Sequence, residues 1–528
     1  MTDHENQPTR MTHRQILVVL TGLMLGLFLA ALDQTIVATA LPTIVGEFGG
    51  LDHLSWVVTA YLLASTVTSP LYGKISDLYG RKVVFQTAIG LFLAGSILCG
   101  LSQNMAQLIG FRAIQGLGAG GLIVMALTIV GDVVSPRERG RYQGYFGAVF
   151  GLASIAGPLL GGWFVDNLNW RWIFYINLPL GLLALFVTAT VLNIPFHRQD
   201  HRIDFPGAGL LVGGVSALLL VTVWGGREYE WGSPLIVGLA VIGLALVGLF
   251  LWWEARTEEP ILPLRLFRDR TFALTSGAGF VVGLAMFGGI IFLPLFLQIV
   301  VGASATNSGL LLLPMMIGII GMSVISGRLI SRTGRYKIFP VIGTVLATLA
   351  LFLLSTMGIG TTLPIASVYM FILGAGLGLV MQVLVLAVQN SVQPRDLGVA
   401  TSASTFFRSL GGSFGTALFG AIFTSQVAAN IARNLPEADL AGADLTSSPE
   451  VIAQLPEAVR LVVIQAFADS TSTVFLAAIP FAAAAFFVVL LLPELPLREH
   501  SHVVGGNLDG ESRVGDLTDG GEGLIGHI

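Results

Sequence analysis

The chain has 528 residues, of which 54% are hydrophobic and only 11% are charged, and its formal net charge is -4. A soluble domain carries about 25% charged residues, so this composition excludes an ordinary soluble protein and predicts a polytopic membrane protein. The basic residues are dispersed over short loops, which excludes a basic patch for nucleic acid. The single cysteine, Cys99, excludes an intramolecular disulfide and a cysteine-based metal cluster.

The apolar runs predict fourteen membrane-spanning helices, because a bilayer core about 30 Å thick needs roughly 20 apolar residues per helix. The polar segment 1–15 precedes the first run, and we expect that run to remain in the protein because it leads directly into a multi-span body. The predicted spans are 16–38, 54–73, 83–102, 106–130, 142–164, 172–192, 207–224, 235–253, 273–297, 308–328, 338–357, 363–389, 398–422 and 473–493.

The short loops on one side of these spans hold most of the Lys and Arg residues. The positive-inside rule then places that side, including the tail 1–15 and both termini, in the cytoplasm, and we expect a protein of the cell (inner) membrane. One long loop, 424–472, falls outside, and its later part, 456–467, predicts an amphipathic helix on the outer surface. The acidic, glycine-rich segment 494–528 predicts a disordered cytoplasmic tail.

An internal repeat relates the two ends of the chain. The loop 73–81 after the second span is similar to the loop 327–335 after the tenth, and Pro136-Arg137 before the fifth span matches Pro394-Arg395 before the thirteenth. Similar offsets in the same order indicate a duplicated six-helix unit. The predicted domains are therefore two six-helix bundles, 16–200 and 271–493, with two inserted helices in the segment 201–270.

The first candidate site is Asp33, an acid inside the first span. An ionised Asp at the centre of a spanning helix costs roughly 2.5–3.5 kcal/mol on insertion scales, so we expect a partner and a function on an ion or substrate pathway. At 1.5 Å per residue, Arg112 in the fourth span lies at about the same depth as Asp33, and Gln115 shares its helix face. The alternatives are that Asp33 reaches a helix end, and that Arg112 caps backbone carbonyls or reaches outward.

The second candidate site is the loop after the second span. Gly73 and Gly80 permit a tight turn, and Asp77 is an acid among bases, placed to pair with Arg81 and with a helix amino terminus of the opposing half. Asp132, at the end of the fourth span, extends this predicted cytoplasmic gate. The alternative is an ordinary positive-inside loop, which explains the bases but not Asp77.

The third candidate lies in the fifth span, where Pro158 bends the helix and glycines let another helix approach closely. We predict a pliable seam that seals against leakage during transport, and the alternative is a simple packing face. Its residues are Gly151, Gly157, Pro158, Gly161 and Gly162.

A further set of residues gives a weaker indication of a substrate cavity in the membrane. The indication is weak because aromatic residues in spanning helices are more often packing residues. Arg408 in the thirteenth span is unusual, although a position near the cytoplasmic end would let it reach the interface. No cluster of His, Cys or acidic residues predicts a metal site. The candidate cavity residues are Trp56, Tyr61, Met125, Phe150, Gln298 and Phe406.

Several of these segments resemble the major facilitator superfamily. Residues 73–82 resemble its loop signature between helices 2 and 3, and residues 112–118 resemble its helix 4 signature, whose arginine is implicated in proton transfer. Residues 151–162 resemble the helix 5 signature that marks antiporters. Residues 32–42 resemble the helix 1 signature of the fourteen-helix drug:proton antiporter branch, from which the chain departs at Ala38, where that branch usually has Asn.

The resemblance implies an all-α polytopic membrane protein with the major facilitator fold: 14 transmembrane helices as two pseudo-symmetric six-helix bundles plus two inserted helices. It implies alternating access about a midplane cavity, with protons as the coupling ion and no other cofactor. Some relatives bind cationic drugs with acids in the tenth and thirteenth spans, but 308–328 and 398–422 contain no acid, which disfavours a dication as substrate.

The expected function is proton-coupled efflux of amphipathic drugs or toxic compounds by a monomer in the lipid bilayer, with no nucleic-acid partner. An exporter of lipids or other endogenous metabolites on the same scaffold is the alternative. A membrane-embedded enzyme or receptor is disfavoured, since the sequence has no intramembrane metal-ligand cluster, nucleophile–base pair or nucleotide-binding loop.

Overall fold

The computed structural model of the chain describes residues 13–48, 54–192, 203–226, 228–303, 305–434, 452 and 454–497. The predicted tails therefore lie largely outside the described residues, as does the middle of the predicted external loop 424–472. The described part is all-α, without a named strand, as the composition predicts.

Every one of the fourteen predicted spans coincides with helix. The helices are α1 (His13–Phe48), α2 (Leu54–Tyr79), α3 (Arg81–Leu101), α4 (Met105–Val133), α5 (Pro136–Asn167), α6 (Trp172–Tyr175), α7 (Asn177–Val191), α8 (Phe205–Trp224), α9 (Pro234–Glu254), α10 (Arg270–Ile299), α11 (Ala305–Leu311), α12 (Leu313–Thr333), α13 (Ile338–Ser355), α14 (Leu363–Ser391), α15 (Leu397–Asn434) and α16 (Glu457–Leu490). Short 3-10 turns, Leu264–Arg268 and Pro394–Asp396, precede α10 and α15.

Thirteen of the described helical segments are long and apolar enough to cross a membrane. Helix α2 is not among them, although its 26 residues are sufficient in length. Its many Ser and Thr residues lower its hydropathy, but their hydroxyls donate to carbonyls of the same helix, as Thr68 does to Ala64 and Ser69 to Ser65, both at 2.7 Å. This internal pairing lets a polar helix remain buried between α4 and α15.

Two predicted spans are interrupted. The span 172–192 consists of α6 and α7 with Ile176 between them, and the span 308–328 consists of α11 and α12 with Leu312 between them. Each break lies shortly before a proline, Pro179 or Pro314, whose ring disfavours a continuous helix through the preceding turn.

The predicted surface helix 456–467 is wrong as a separate element. Helix α16 runs without interruption from Glu457 through the last span, and α15 extends to Asn434 within the predicted loop 424–472. Val463 and Phe467 of α16 pack against Val427 and Ile431 of α15. The apolar face expected to meet the membrane surface is covered by another helix of the chain.

Two hydrophobic cores divide the helices into an amino-terminal half, α1–α7, and a carboxyl-terminal half, α10–α16. The halves meet where α2 packs against α15 and where α5 packs against α12. The inserted helix α8 lies over the first of these contacts, since its Leu211 and Leu219 share a cluster with Val67 of α2 and Ala400 of α15.

Glycines allow backbone-to-backbone approach inside the carboxyl-terminal half. A Cβ at Gly411 of α15 would collide with the carbonyl oxygen of Phe280 in α10, and one at Gly415 would collide with that of Leu284. Backbone atoms cannot move aside as a flexible side chain does, so these positions fix the spacing of α10 and α15.

We expect Gly411→Ala to destabilise the protein by about 1–3 kcal/mol, the usual cost of overpacking. Thermal unfolding of the purified protein in detergent measures the effect as a lowered midpoint. Gly277→Ala in α10 is the matched control, because a Cβ there would meet no described atom within 4 Å. Equal midpoints for the two variants would contradict the role of Gly411 in helix spacing.

Candidate functional site

The structure joins Asp33 and Arg112 in a fully buried ion pair. Asp33 is 0% exposed and Arg112 is 1% exposed, and an Nη1 of the arginine contacts Oδ2 of the acid. Gln115 lies one turn from Arg112 on α4, accepts from it at 2.8 Å, and donates its amide to Oδ1 of Asp33 at 2.8 Å. The three residues predicted as one site are therefore in mutual contact across α1 and α4.

The second helix completes the surroundings of the guanidinium. Arg112 donates from Nε to the carbonyl oxygen of Val57 at 3.2 Å and stacks over the ring of Tyr61, with its central carbon 4.2 Å from the ring centroid. The Tyr61 hydroxyl donates to the carbonyl of Ala30 in α1. Tyr61, predicted as a cavity residue, thus supports the buried pair in this conformation.

Sequence reasoning missed two members of this network, Asn177 and Ser96. Asn177, the first residue of α7, donates to Oδ1 of Asp33 at 3.3 Å and to Ser96 at 3.0 Å, and Ser96 donates to the carbonyl of Phe174 at 2.8 Å. The Asn177 side-chain oxygen is buried without a partner among the described atoms. The signal in the sequence that could have identified Asn177 was a single side-chain amide inside an apolar run.

The Asp33 carboxylate is matched by one guanidinium and by two amide donors. These contacts offset the cost of burying its charge, and they join α1 to α4 and α7.

At the basic-loop end of the molecule, the predicted gate residues form a second cluster. Arg81 bridges two acids, Asp77 and Asp132, and its Nε lies 2.7 Å from Oδ2 of Asp132. Asp77 faces the first turn of α15 in the opposing half, near the N–H of Val399 and so close to Gly398 that a Cβ there would meet its carboxylate. The acid of one half thus lies at the helix amino terminus of the other.

The two predicted gate glycines have different structural reasons. Gly80 adopts φ 90° between α2 and α3, a backbone conformation that favours glycine. Gly73 lies against α15, where a Cβ would collide with Ser402 and with the carbonyl of Gly398. Together they allow α2 to turn sharply and to approach the opposing half.

Another contact between the halves was not predicted. Arg139 is 1% exposed and donates to the side-chain oxygen of Gln389 in α14 at 3.1 Å, while Gln389 donates back to the carbonyl of Leu127 in α4 at 3.1 Å. In the sequence, Arg139 looks like any other base of a positive loop. Its burial is evident only from the fold. Because this contact joins the two halves, they are closed at the basic-loop end.

The predicted seam of α5 faces two different helices. Gly151 lies against Ile320 and Met316 of α12, and Pro158 lies near Gly309 of α11, so both face the opposing half. Gly157 and Gly161 instead pack on α1 of the same half, where a Cβ would collide with Thr35 and Thr39. A Cβ at Gly162 would meet no described atom within 4 Å.

The candidate cavity residues belong to separate packing groups in this conformation. Met125 is buried in the core of the amino-terminal half, and Phe406 lies in the cluster beneath α8. Trp56 stacks edge-on against Trp224 of α8 at 5.0 Å, Phe150 is largely exposed on α5, and Gln298 is half-buried. A substrate-binding role for these residues stays a prediction.

Beyond the apolar part of α1, Glu47 makes polar contacts at the end of the amino-terminal half that lies away from the basic loops. It accepts from Nε1 of Trp170 at 2.6 Å and pairs with Arg171 at 2.9 Å. These hydrogen bonds, that from Trp170 first, lower the pKa of Glu47 below its usual value. The carboxylate is thereby held ionised and ties α1 to the segment before α6.

Solved structures share this architecture. The human organic anion transporter MFSD10 aligns with a TM-score of 0.60 at 16% identity, over 88% of this chain and 99% of that chain. A bacterial homologue of the human lysosomal transporter Spinster, in an inward-facing unoccupied conformation, aligns with a TM-score of 0.57 at 16% identity, over 91% and 98%. At such identities the likeness concerns the fold, and the predicted major facilitator fold is confirmed.

Several curated relatives are much closer in sequence. An MFS-type transporter of Mycobacterium tuberculosis (strain H37Rv) is 46% identical over 485 residues, 91% of this chain and 70% of that protein. The multidrug transporter protein MdtP of Bacillus subtilis is 44% identical over 413 residues, 78% of this chain and 75% of that protein. Multidrug resistance protein 3 of the same species is 37% identical over 484 residues, 90% and 94%.

The sequence profile described as Major Facilitator Superfamily matches residues 23–416, from the first span into α15. This range contains both the buried Asp33–Arg112 pair and the contacts that close the basic-loop end. The chain belongs to the major facilitator superfamily and is a multi-pass membrane transporter.

Proposed function

We propose that the protein exports amphipathic drugs or toxic compounds across the cytoplasmic membrane in exchange for protons, by alternating access. The observation that carries this proposal is the completely buried Asp33 carboxylate, held by Arg112, Gln115 and Asn177. Such a group is expensive inside a membrane and is expected to serve a function there. The names of the B. subtilis relatives, a multidrug transporter and a multidrug resistance protein, agree with an exporter of drugs.

In the proposed cycle, a proton from outside neutralises Asp33 and frees Arg112 from the ion pair. The network of α1, α4 and α7 then relaxes, and the amino-terminal half rocks against the carboxyl-terminal half. Release of the proton to the cytoplasm restores the pair and resets the transporter. A potential of 100 mV supplies about 2.3 kcal/mol for each charge that crosses, which is sufficient to drive a moderate concentration gradient.

The cluster of Asp77, Arg81 and Asp132 is the proposed cytoplasmic gate, with Gly73 and Gly80 shaping the turn. Asp77 meets the amino terminus of α15 only when the two halves touch, so its contact favours the closed arrangement. In this proposal the basic loops and both termini are cytoplasmic, the protein acts as a monomer of the inner membrane, and it belongs to the fourteen-helix drug:proton antiporter branch.

We expect Asp33→Asn to abolish pH-driven export, because an amide cannot take up and release the proton. The measurement uses liposomes that contain the purified protein and an acidic lumen, with a panel of cationic, neutral, anionic and lipidic compounds added outside. The wild type should accumulate at least one of them, and the variant should accumulate none above the level of empty liposomes.

Asp166→Asn is the matched control, since Asp166 is an exposed acid of the same half. Both variants should reach the membrane and elute as folded protein in detergent. Undiminished accumulation by Asp33→Asn would overturn the assignment of the coupling residue. A wild type that moves no compound under the pH step would overturn proton-coupled export itself.

A second prediction concerns the gate. Asp77→Ala removes a carboxylate from the amino terminus of α15, and loss of a helix cap costs about 0.5–2 kcal/mol. The ratio of cytoplasm-open to closed protein should therefore rise about 2- to 30-fold. Spin labels at Tyr79→Cys and Arg395→Cys, on exposed positions of the two halves, report this change as a longer-distance population.

Cys99 is 0% exposed, so the natural cysteine should not take up the label. Asp269→Ala is the control, because Asp269 caps α10 by accepting from the N–H of Phe272 within one half. The control should leave the distance distribution unchanged. An Asp77→Ala variant with the wild-type distribution would remove this residue from the proposed gate.

A further inference from the structure

A second charge lies deep in the membrane part, on the carboxyl-terminal half. Arg408 is eleven residues beyond Leu397, the first residue of α15, so it lies about 16 Å along the helix, close to the middle of a 30 Å bilayer core. The alternative from the sequence, a side chain that reaches the cytoplasmic interface, does not describe its position. Arg408 instead lines a narrow cavity between α10, α14 and α15.

The walls of this cavity are almost entirely apolar. Val282 of α10 and Met381 and Leu384 of α14 line it, and Ser404, one turn before Arg408, adds a hydroxyl. Gly279 leaves room beside the arginine, since a Cβ there would still be 3.9 Å from the Cβ of Arg408. A cationic group is thus set in an apolar recess between α10, α14 and α15.

Arg408 and Arg112 differ in their partners. Arg112 is matched by Asp33, whereas Arg408 makes no ion pair or hydrogen bond with any described side chain, and no acid occurs in 398–422. An arginine in an apolar setting is costly without an anion. A guanidinium offers five N–H donors in a planar fork that suits carboxylate, sulfonate or phosphate groups.

We propose that Arg408 binds the anionic group of the exported compound, and that the protein prefers amphipathic anions over amphipathic cations. This inference rests on the proposed export function, and it names the substrate class. The guanidinium takes the charged group of the substrate, and the apolar walls contact the atoms next to that group. The recess has a volume of only about 10 Å³ in this conformation, so the rest of the hydrophobic body lies outside it. A cation of the same shape meets an unscreened positive charge and is rejected.

The proposal has a consequence for charge movement. When one proton enters and one monovalent anion leaves, two positive charges move inward in total. Exchange of one proton for one monovalent cation moves none. An inside-negative membrane potential should therefore accelerate export of the anion and leave export of the cation unchanged.

The test compares naphthalene-1-sulfonate with 1-naphthylmethylammonium, which share a ring system and differ in the sign of their charge. Binding is measured on the purified full-length protein as the rise in unfolding midpoint with increasing probe. Dihexanoyl phosphatidylglycerol and dihexanoyl phosphatidylcholine form a second pair, which distinguishes a lipid headgroup from a soluble anion. The anionic member of at least one pair should stabilise the wild type, and its neutral or cationic partner should not.

Arg408→Gln should weaken binding of the anion at least about tenfold, as expected for loss of a charge-assisted hydrogen bond. Arg408→Lys keeps the charge without the planar fork and should retain part of the affinity. Arg433→Gln is the matched control, an exposed arginine of the same helix. Without probe, Arg408→Gln should unfold at or above the wild-type temperature, because the arginine has no described protein partner to lose.

Equal stabilisation by anion and cation, or an anion affinity unchanged in Arg408→Gln, would overturn the proposal. Because binding is measured without a pH gradient, it is independent of proton coupling. A wild type that binds the anion but moves nothing in the liposome assay would refute the proposed function and leave the anion site standing. Proton-driven export that prefers the cation would refute the anion site and leave the proposed export function standing.

Discussion

The ion pair of Asp33 and Arg112 is the constraint on which the amino-terminal half depends. Burial removes both charges from water, and their mutual attraction offsets this cost only when the remaining hydrogen-bonding capacity is also satisfied. Gln115 of α4 and Asn177 of α7 donate hydrogen bonds to the carboxylate, and the guanidinium stacks over the ring of Tyr61 in α2. Four helices are thus held in register by one carboxylate. A network of this kind is either complete or broken, which makes it suited to two conformations rather than to a continuous range.

The contacts between the halves are of a different kind. Within the carboxyl-terminal half, Gly411 and Gly415 bring backbones together over apolar surface that would be difficult to separate. Between the halves at the basic-loop end, polar contacts accompany the apolar ones: Asp77 lies at the start of α15, and Arg139 pairs with Gln389. Polar groups that lose these partners regain hydrogen bonds from water when the interface opens, so the net cost of separation is modest. The chemistry of the contacts therefore permits rigid halves with a reversible interface.

The sequence predicts features that depend on local hydropathy or on depth in the bilayer. It does not predict contacts that depend on helix rotation or on distant parts of the chain. Spanning helices follow from local hydropathy, and the Asp33–Arg112 contact follows from matching depths in two spans, because the bilayer fixes depth. Rotation about each helix axis is not fixed in that way, so Asn177 could not be identified as a partner of Asp33. The burial of Arg139 was equally hidden, because its partner Gln389 lies 250 positions away. The prediction of a surface helix at 456–467 was wrong because the apolar face of this segment is covered by α15. Local periodicity shows that a helix face is apolar, but it does not show whether that face packs on another helix or on lipid.

Arg112 and Arg408, the two arginines deep in the spanning helices, show how one scaffold can separate two tasks. Arg112 is paired with Asp33 within its own half, and in the proposed cycle the proton on Asp33 sets the charge of that site. Arg408 pairs with no described acid, so in the proposal the charge of its recess is set by the substrate that enters it. If both charges belonged to one site, an anion would compete with Asp33 for the same guanidinium and protonation would control binding directly. Placed on opposite halves, they influence each other through the contacts between the halves, among them α2 with α15, α5 with α12 and Arg139 with Gln389. If both proposals hold, coupling is a property of the interface between the halves, and the preference for substrate charge is a property of the recess.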